Sequence, residues 1–145
     1  MLFRSTLVQS VLKGEKMDQV VRDAVMMGVA TIQPVVTTRS EVRLATLTKA
    51  GKVERWQKIA VASAKQSGRA VVTEVLPPCE FARIPPTLAG IELPGPALMF
   101  VEPSVHIMAL TLHELDAKPP SQAMVLIGPE GGGTPDEIEI GRAHV

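Results

Sequence analysis

Residues 126–137 read LIGPEGGGTPDE, and their types and spacing suit a ligand-binding loop. An apolar strand runs into four glycines, which let backbone N–H groups approach a ligand closely. Thr134, Pro135 and Glu137 fit a capping box that starts a helix, and a helix N-terminus attracts negative charge. The segment is therefore predicted to be a strand-to-helix turn that either binds a ligand or only turns the chain.

Three common kinds of site are not indicated. No Lys-Ser/Thr follows the glycines, so the loop is not a Walker loop, and the G-x-G-x-x-G spacing of dinucleotide sites is absent. His106, His113 and His144 have no ligand-like spacing with Cys79, so no metal site is predicted. With one Trp, three Phe and no Tyr, the chain also lacks an aromatic platform for single-stranded bases.

Length and composition indicate one domain with a proper core. A chain of 145 residues is long enough to bury a hydrophobic core that requires no zinc ion, disulfide or oligomer for folding. The single Cys79 excludes an internal disulfide, which favours a cytoplasmic protein. The longest apolar runs, PALMFV and AMVLI, are far shorter than the roughly 20 residues of a membrane span, so no membrane partner is expected.

The net charge of zero conceals two halves of opposite sign. Through residue 70, Lys and Arg number 12 and Asp and Glu number 5, giving +7; the rest of the chain has 3 and 10, giving −7. A basic half suggests an anionic partner, most commonly nucleic acid, because neutralised phosphates release counterions. The alternative is that basic helices merely face solvent.

Strands and helices alternate along the first 76 residues. Residues 3–12, 29–36 and 70–76 are predicted strands, and Pro34 indicates an edge position or a bulge in the second. One helix begins near Met17 and is closed by Gly28; another runs from about Val53 to Gln66 and is terminated by Gly68. Apolar residues fall at helical spacing in the first of these, at Met17, Val20, Val21, Ala24, Val25 and Gly28.

The second half contains two near-continuous apolar runs. Residues 97–103 and 123–130 have the pattern of strands that are buried on both faces of a parallel sheet. Residues 77–96 hold six prolines and are predicted to be an irregular connection, whereas 104–115 suit a helix. The whole pattern predicts an α/β fold, a mostly parallel sheet with flanking helices, whose ligands bind beyond the carboxyl ends of the strands.

Three blocks of the chain resemble one enzyme family. KGEKMDQVVRDAVMMGVATIQPVVTTRSEVRL, RWQKIAVASAKQSGR and LIGPEGGGTPDEI occur in the order and approximate spacing of the bacterial ribosomal RNA uridine-N3 methyltransferases, the RsmE-like branch of the SPOUT superfamily. The resemblance implies a trefoil knot near the carboxyl end, S-adenosylmethionine as methyl donor without a metal, small-subunit ribosomal RNA as substrate, and a homodimer with active sites near the interface.

The resemblance also implies site residues. Backbone groups of two loops would bind the donor: Val101, Glu102 and Pro103 in one, and Ile127, Gly128, Pro129, Glu130, Gly131 and Gly132 in the other. Arg39, Arg43, Gln66 and Arg69 match polar signatures expected to bind RNA. Arg39, Arg69 and Glu102 are candidates for catalysis, with the general base left open. The alternatives are a solvated loop cation for each arginine and an exposed strand-end carboxylate for Glu102.

The sequence also departs from the family pattern. The resemblance places a β-barrel RNA-binding domain before residue 1, and a strand and a further segment of the knot and donor pocket after residue 145. Residues 1–145 are therefore expected to be a partial methyltransferase domain with an incomplete knot, inactive by itself. Two other functions stay open, a non-catalytic RNA-binding domain and a nucleotide-binding module that uses only the glycine loop.

Overall fold

The computed structural model describes residues 4–84, 97–100, 120–129 and 132–143, with the side chains of 140–143 excepted. Its sheet has strands β1 (Arg4–Ser10), β2 (Thr31–Val36), β3 (Glu74–Val75), β4 (Cys79–Glu80), β5 (Ala97–Phe100) and β6 (Gln122–Ile127). Its helices are α1 (Lys16–Met27), α2 (Leu44–Lys49), α3 (Lys52–Gln66) and α4 (Pro135–Ala143), with one 3-10 turn at Phe81–Arg83.

All six strands pair in parallel, as the sequence predicts. The order is β3-β2-β1-β6-β5, and β4 extends the edge beside β2. The first strand therefore lies at the centre, with Leu7 opposite Ile32 on one side and opposite Val125 on the other. Because the strands are parallel, the loops that follow β1, β2 and β6 meet at one edge of the sheet, the carboxyl edge.

Each face of the sheet has its own apolar core. Successive residues of a strand point to opposite faces, so Leu7 packs in one core and Val8 in the other. The first core joins the sheet to α1 and α3, whose Val21 and Trp56 are almost completely buried. The second core includes Phe81 of the 3-10 turn. Val125 packs against the first core and Met124 and Leu126 lie in the second, so burial on both faces explains why β6 is an apolar run.

The helix ends predicted from glycine are confirmed. Gly28 follows α1 with φ 86°, and its N–H donates to the carbonyls of Ala24 and Val25. Gly68 follows α3 with φ 68°. Residues with a Cβ rarely adopt this left-handed conformation, so glycine ends a helix at low cost.

Pro34 does not lie on an edge strand, which corrects one of the two alternatives predicted from it, an edge position or a bulge. β2 pairs with β1 on one side, and the Val35 carbonyl accepts a hydrogen bond from Val11 N–H on that side. The other side is divided between β3 and β4, because Pro77 and Pro78 interrupt the outer chain there. Pro34 is tolerated opposite this interruption, since no neighbouring strand needs its missing N–H.

The predicted strand over 70–76 is reduced to Glu74–Val75, which is a second correction. The side chain of Gln57 on α3 accepts from Val75 N–H at 2.9 Å and donates to the Thr73 carbonyl at 3.0 Å. Val71 and Val72 are exposed, although their apolar character suggested a buried strand. On the side of β3 that faces away from β2, these side-chain hydrogen bonds take the place of a neighbouring strand.

Helix α2 was not predicted; it is six residues long, and its Leu47 is buried. The predicted helix over 104–115, the strand end at 101–103 and the knot depend on residues outside the described ranges. Within those ranges, no helix is long and apolar enough to cross a membrane.

A buried carboxylate joins α1 to α3. Asp18, in the first turn of α1, is 3% exposed. Arg55 on α3 donates to its Oδ2 through Nε at 3.0 Å and through Nη2 at 2.5 Å. A buried carboxylate without a partner is costly, so this pair fixes the register of the two helices.

We predict that Arg55→Ala lowers the melting temperature by roughly 5 °C or more, because it leaves the Asp18 carboxylate buried without its partner. Lys58→Ala is the matched control, since it removes a long cationic side chain from an exposed position of the same helix. Thermal unfolding followed by circular dichroism measures both variants. Equal shifts would contradict the assigned role of the pair.

Candidate functional site

The glycine loop, residues 128–134, follows β6 at the carboxyl edge. Gly132 has φ 71°, and its N–H donates to the Pro129 carbonyl at 2.9 Å, which closes a tight turn. A Cβ at Gly128 or Gly133 would meet only ordinary contacts, the nearest at 3.9 and 3.5 Å. Of the glycines described in this loop, Gly132 is therefore the one whose backbone conformation requires glycine. Glu130 and Gly131 lie outside the described residues.

The capping box at the start of α4 is confirmed. Thr134 N–H donates to Glu137 Oε2 at 2.9 Å, and Glu137 N–H donates to Thr134 Oγ1 at 3.3 Å. These reciprocal bonds satisfy donors that a helix N-terminus otherwise leaves unpaired. The cap thereby fixes the direction in which α4 leaves the glycine loop.

Glu137 also reaches a second loop. Its Oε1 accepts from the N–H of Thr38 at 2.6 Å, across 99 positions of sequence, and the residue is only 7% exposed. Burial acts to raise the pKa of Glu137, but hydrogen bonds from Thr134 and Thr38 outweigh it and lower the pKa below its ordinary value of 4.5. The carboxylate is therefore ionised at neutral pH and holds both loops.

The loop that Glu137 holds is the turn Thr37–Ser40, which follows β2. Ser40 Oγ accepts from Thr37 N–H at 3.0 Å and shares hydrogen bonds with Thr37 Oγ1 at 2.9 Å and with Ser10 Oγ at 3.1 Å. Ser10 ends β1 and is completely buried. The turn is thus anchored to β1 on one side and to α4 on the other.

Arg39 and Arg43 lie at the same edge as the glycine loop. Arg39 is an exposed residue of the anchored turn, between Thr38 and Ser40. Arg43 is exposed and immediately precedes α2. The structure therefore brings these two predicted RNA-binding residues to the edge where an α/β sheet binds its ligands.

Arg69 and Gln66 lie at the opposite edge. Arg69 Nη2 donates to the Met26 carbonyl at 2.6 Å, near the C-terminal end of α1, where a cation is favourable. A Cβ at Gly28 would lie 2.6 Å from Arg69 Nη1, so the guanidinium packs directly over that glycine. Gln66 ends α3 and is exposed. Within one chain, these two residues are separated from the glycine loop by the sheet.

Of the other predicted donor-binding residues, Val101, Glu102 and Pro103 lie outside the described residues. β5 ends at Phe100, whose partner in register is Ile127 at the end of β6. The two strands thus end side by side at the carboxyl edge, next to Gly128 and Pro129.

Sequence reasoning missed that Thr38, Ser40 and Ser10 belong to this site. The capping-box pattern identified Glu137 as a helix cap, and it gave no sign of a second partner. Among the described residues, no group of three His, Cys, Asp or Glu side chains is placed to hold a metal ion.

The chain is similar to known proteins in sequence and in fold. Ribosomal RNA small subunit methyltransferase E of Synechocystis sp. is 28% identical over 135 residues, covering 93% of this chain and 42% of that protein. A crystal structure of ribosomal RNA small subunit methyltransferase E from Neisseria gonorrhoeae bound to S-adenosylmethionine has a TM-score of 0.80 and 32% identity over 98% of this chain and 55% of its own. A putative methyltransferase from Legionella pneumophila in complex with S-adenosylmethionine also has a TM-score of 0.80, with 27% identity over the same shares.

The chain spans about half the length of these relatives. A sequence profile of the RNA methyltransferase domain matches residues 2–144, nearly the whole chain. The parallel sheet, the capped glycine loop at its carboxyl edge and this match agree with the resemblance seen in the sequence. The chain belongs to the RNA methyltransferase domain family.

Proposed function

We propose that this domain acts in an enzyme that transfers a methyl group from S-adenosylmethionine to uridine N3 in small-subunit ribosomal RNA. Glu137 joins the glycine loop to the turn Thr37–Ser40, which contains Arg39 and is called the Arg39 turn below. This observation carries the proposal. One loop suits a methyl donor and the other an anionic substrate, and they lie at one edge of the sheet. Relatives that carry S-adenosylmethionine share this fold over 98% of the chain.

The proposed donor site uses backbone groups of the two loops that follow β5 and β6. Gly132, which closes the turn, has no side chain to shield its main chain from a ligand. Residues 101–103 complete the proposed site on the β5 side. When bound, S-adenosylmethionine supplies an electrophilic methyl group, and the loops orient it by hydrogen bonds and exclude water.

The proposed reaction needs help with a proton. Uridine N3 carries its proton at neutral pH, so the proton would have to leave before or while N3 bonds to the methyl carbon and displaces S-adenosylhomocysteine as the leaving thioether. A guanidinium close to O2 or O4 would stabilise the developing negative charge, and Arg39 is the proposed guanidinium. A carboxylate or a water molecule would accept the proton; Glu102 is the proposed carboxylate.

The positions of Arg69 and Gln66 bear on the proposed homodimer. A role at the glycine loop of the same chain conflicts with the Arg69 hydrogen bond at the far edge of the sheet. If Arg69 acts in catalysis, it therefore acts at the glycine loop of a partner subunit, as active sites near a dimer interface would allow. Otherwise, Arg69 and Gln66 contact RNA beyond the site.

We predict that Gly132→Val weakens S-adenosylmethionine binding by more than about 10-fold and abolishes methyl transfer, because valine resists the left-handed conformation and blocks the loop. Gly68→Val is the control: Gly68 has nearly the same φ, 68°, with open space around it, at the other edge of the sheet. Calorimetry measures donor binding, transfer of a labelled methyl group to small-subunit ribosomal RNA measures activity, and mass spectrometry of the digested RNA locates the methyl group.

Donor binding with 3-methyluridine as product would support the proposal. Methylation at another position would overturn the uridine-N3 assignment. RNA binding without donor binding would favour a non-catalytic RNA-binding domain, and competition by a nucleotide would favour a nucleotide-binding module. A normal donor dissociation constant for Gly132→Val would show that the loop only turns the chain.

We further predict that Arg39→Ala with Arg43→Ala weakens RNA binding several-fold and reduces the slope of log K against log salt by about 2, because two phosphate contacts are lost. The matched control removes the exposed Lys58 and Lys65 of α3, which is the same change in charge at another surface. Arg69→Ala tests the far edge separately. Filter binding across a salt series gives the three slopes. A larger loss of RNA affinity from removal of the lysine pair would indicate that RNA binds at α3 and not at the carboxyl edge.

A further inference from the structure

Glu137 holds one loop with each carboxylate oxygen. Oε1 accepts from the Thr38 N–H at 2.6 Å, and Oε2 accepts from the Thr134 N–H at 2.9 Å. Both donors are main-chain groups, so the bonds position the backbone of the Arg39 turn and of the glycine loop. Thr38 and Glu137 are 99 positions apart in the sequence.

Few other arrangements would satisfy this carboxylate. Glu137 is 7% exposed, and an ionised group at that depth is costly unless it is hydrogen bonded. Movement of either loop away from α4 would leave one oxygen without its donor. The Arg39 turn is also restrained on its other side by the Ser40 and Ser10 hydroxyls. The position of one loop therefore depends on the position of the other.

We propose that Glu137 is a positioning residue that couples donor binding at the glycine loop to RNA binding at the Arg39 turn. This inference rests on the proposed function, because it assigns one ligand to each loop. A ligand that orders the glycine loop fixes Glu137, which then holds the Thr38 main chain in place. The second ligand meets a turn that is already ordered and binds more tightly.

Coupling between binding sites is reciprocal, so it is measurable from either side. S-adenosylhomocysteine, the donor without its transferable methyl group, serves as the probe because it permits no turnover. The coupling ratio is the dissociation constant of a small-subunit ribosomal RNA transcript without the probe, divided by the constant with the probe at saturation. A variant that is only less stable raises this ratio rather than lowering it, because the probe at saturation binds the folded form and shifts the unfolded fraction back to it.

Two variants remove the bridge in steps. Glu137→Gln retains one acceptor oxygen, so it keeps one of the two bonds, and glutamine is compatible with a capping box. Glu137→Ala removes both bonds. Asp136→Asn is the matched control, since it removes a negative charge from the same helical turn at an exposed position. Unfolding midpoints of all variants are measured alongside.

We expect a coupling ratio of at least about 5-fold for the unaltered protein and for Asp136→Asn. The ratio should fall for Glu137→Gln and approach unity for Glu137→Ala. An unchanged ratio in Glu137→Ala, or an equal loss in Asp136→Asn, would overturn the role of Glu137. If the unaltered protein binds both ligands with a ratio of unity, the coupling is overturned and the proposed function stands. If it binds neither ligand, the proposed function fails, and the coupling fails with it.

Discussion

The parallel pairing of β1 between β2 and β6 is the constraint on which the rest of the structure depends. β1 is the first strand of the chain and β6 the last of those described, yet the two pair over six residues. Parallel pairing places the ends of β1, β2 and β6 at one edge, so the loops that follow them become neighbours. The candidate site exists because of this closure in space, since no local segment contains its parts.

Glu137 accepts hydrogen bonds from two of the loops that this strand pairing brings together. A carboxylate buried to 7% exposure is unfavourable by itself, and here main-chain donors from two loops stabilise it. The same bonds that satisfy the charge define where the Arg39 turn lies relative to the glycine loop. The Glu137 side chain therefore contributes to helix capping, to the placement of the loops and to the charge of the site.

The sheet also divides the polar residues that the family resemblance grouped together. Arg39 and Arg43 lie at the carboxyl edge, whereas Arg69 packs over Gly28 near the end of α1. The guanidinium of Arg69 has a structural task in this chain, at the C-terminal end of a helix. A shared role for Arg39 and Arg69 would thus require two subunits, which agrees with the proposed homodimer.

Local chemistry was readable from the sequence by itself. The apolar runs, Gly28, Gly68 and the capping box of Thr134 and Glu137 predicted a parallel α/β sheet and its helix ends, because each depends on neighbours within a few residues. Tertiary structure decided what depends on distant partners. Gln57 bonds the outer side of β3 at Thr73 and Val75, Pro34 lies opposite a break in the outer chain, and Glu137 accepts from the Thr38 N–H at the carboxyl edge. A sequence pattern records which groups a segment offers, whereas only the packed chain determines which distant group meets each of them.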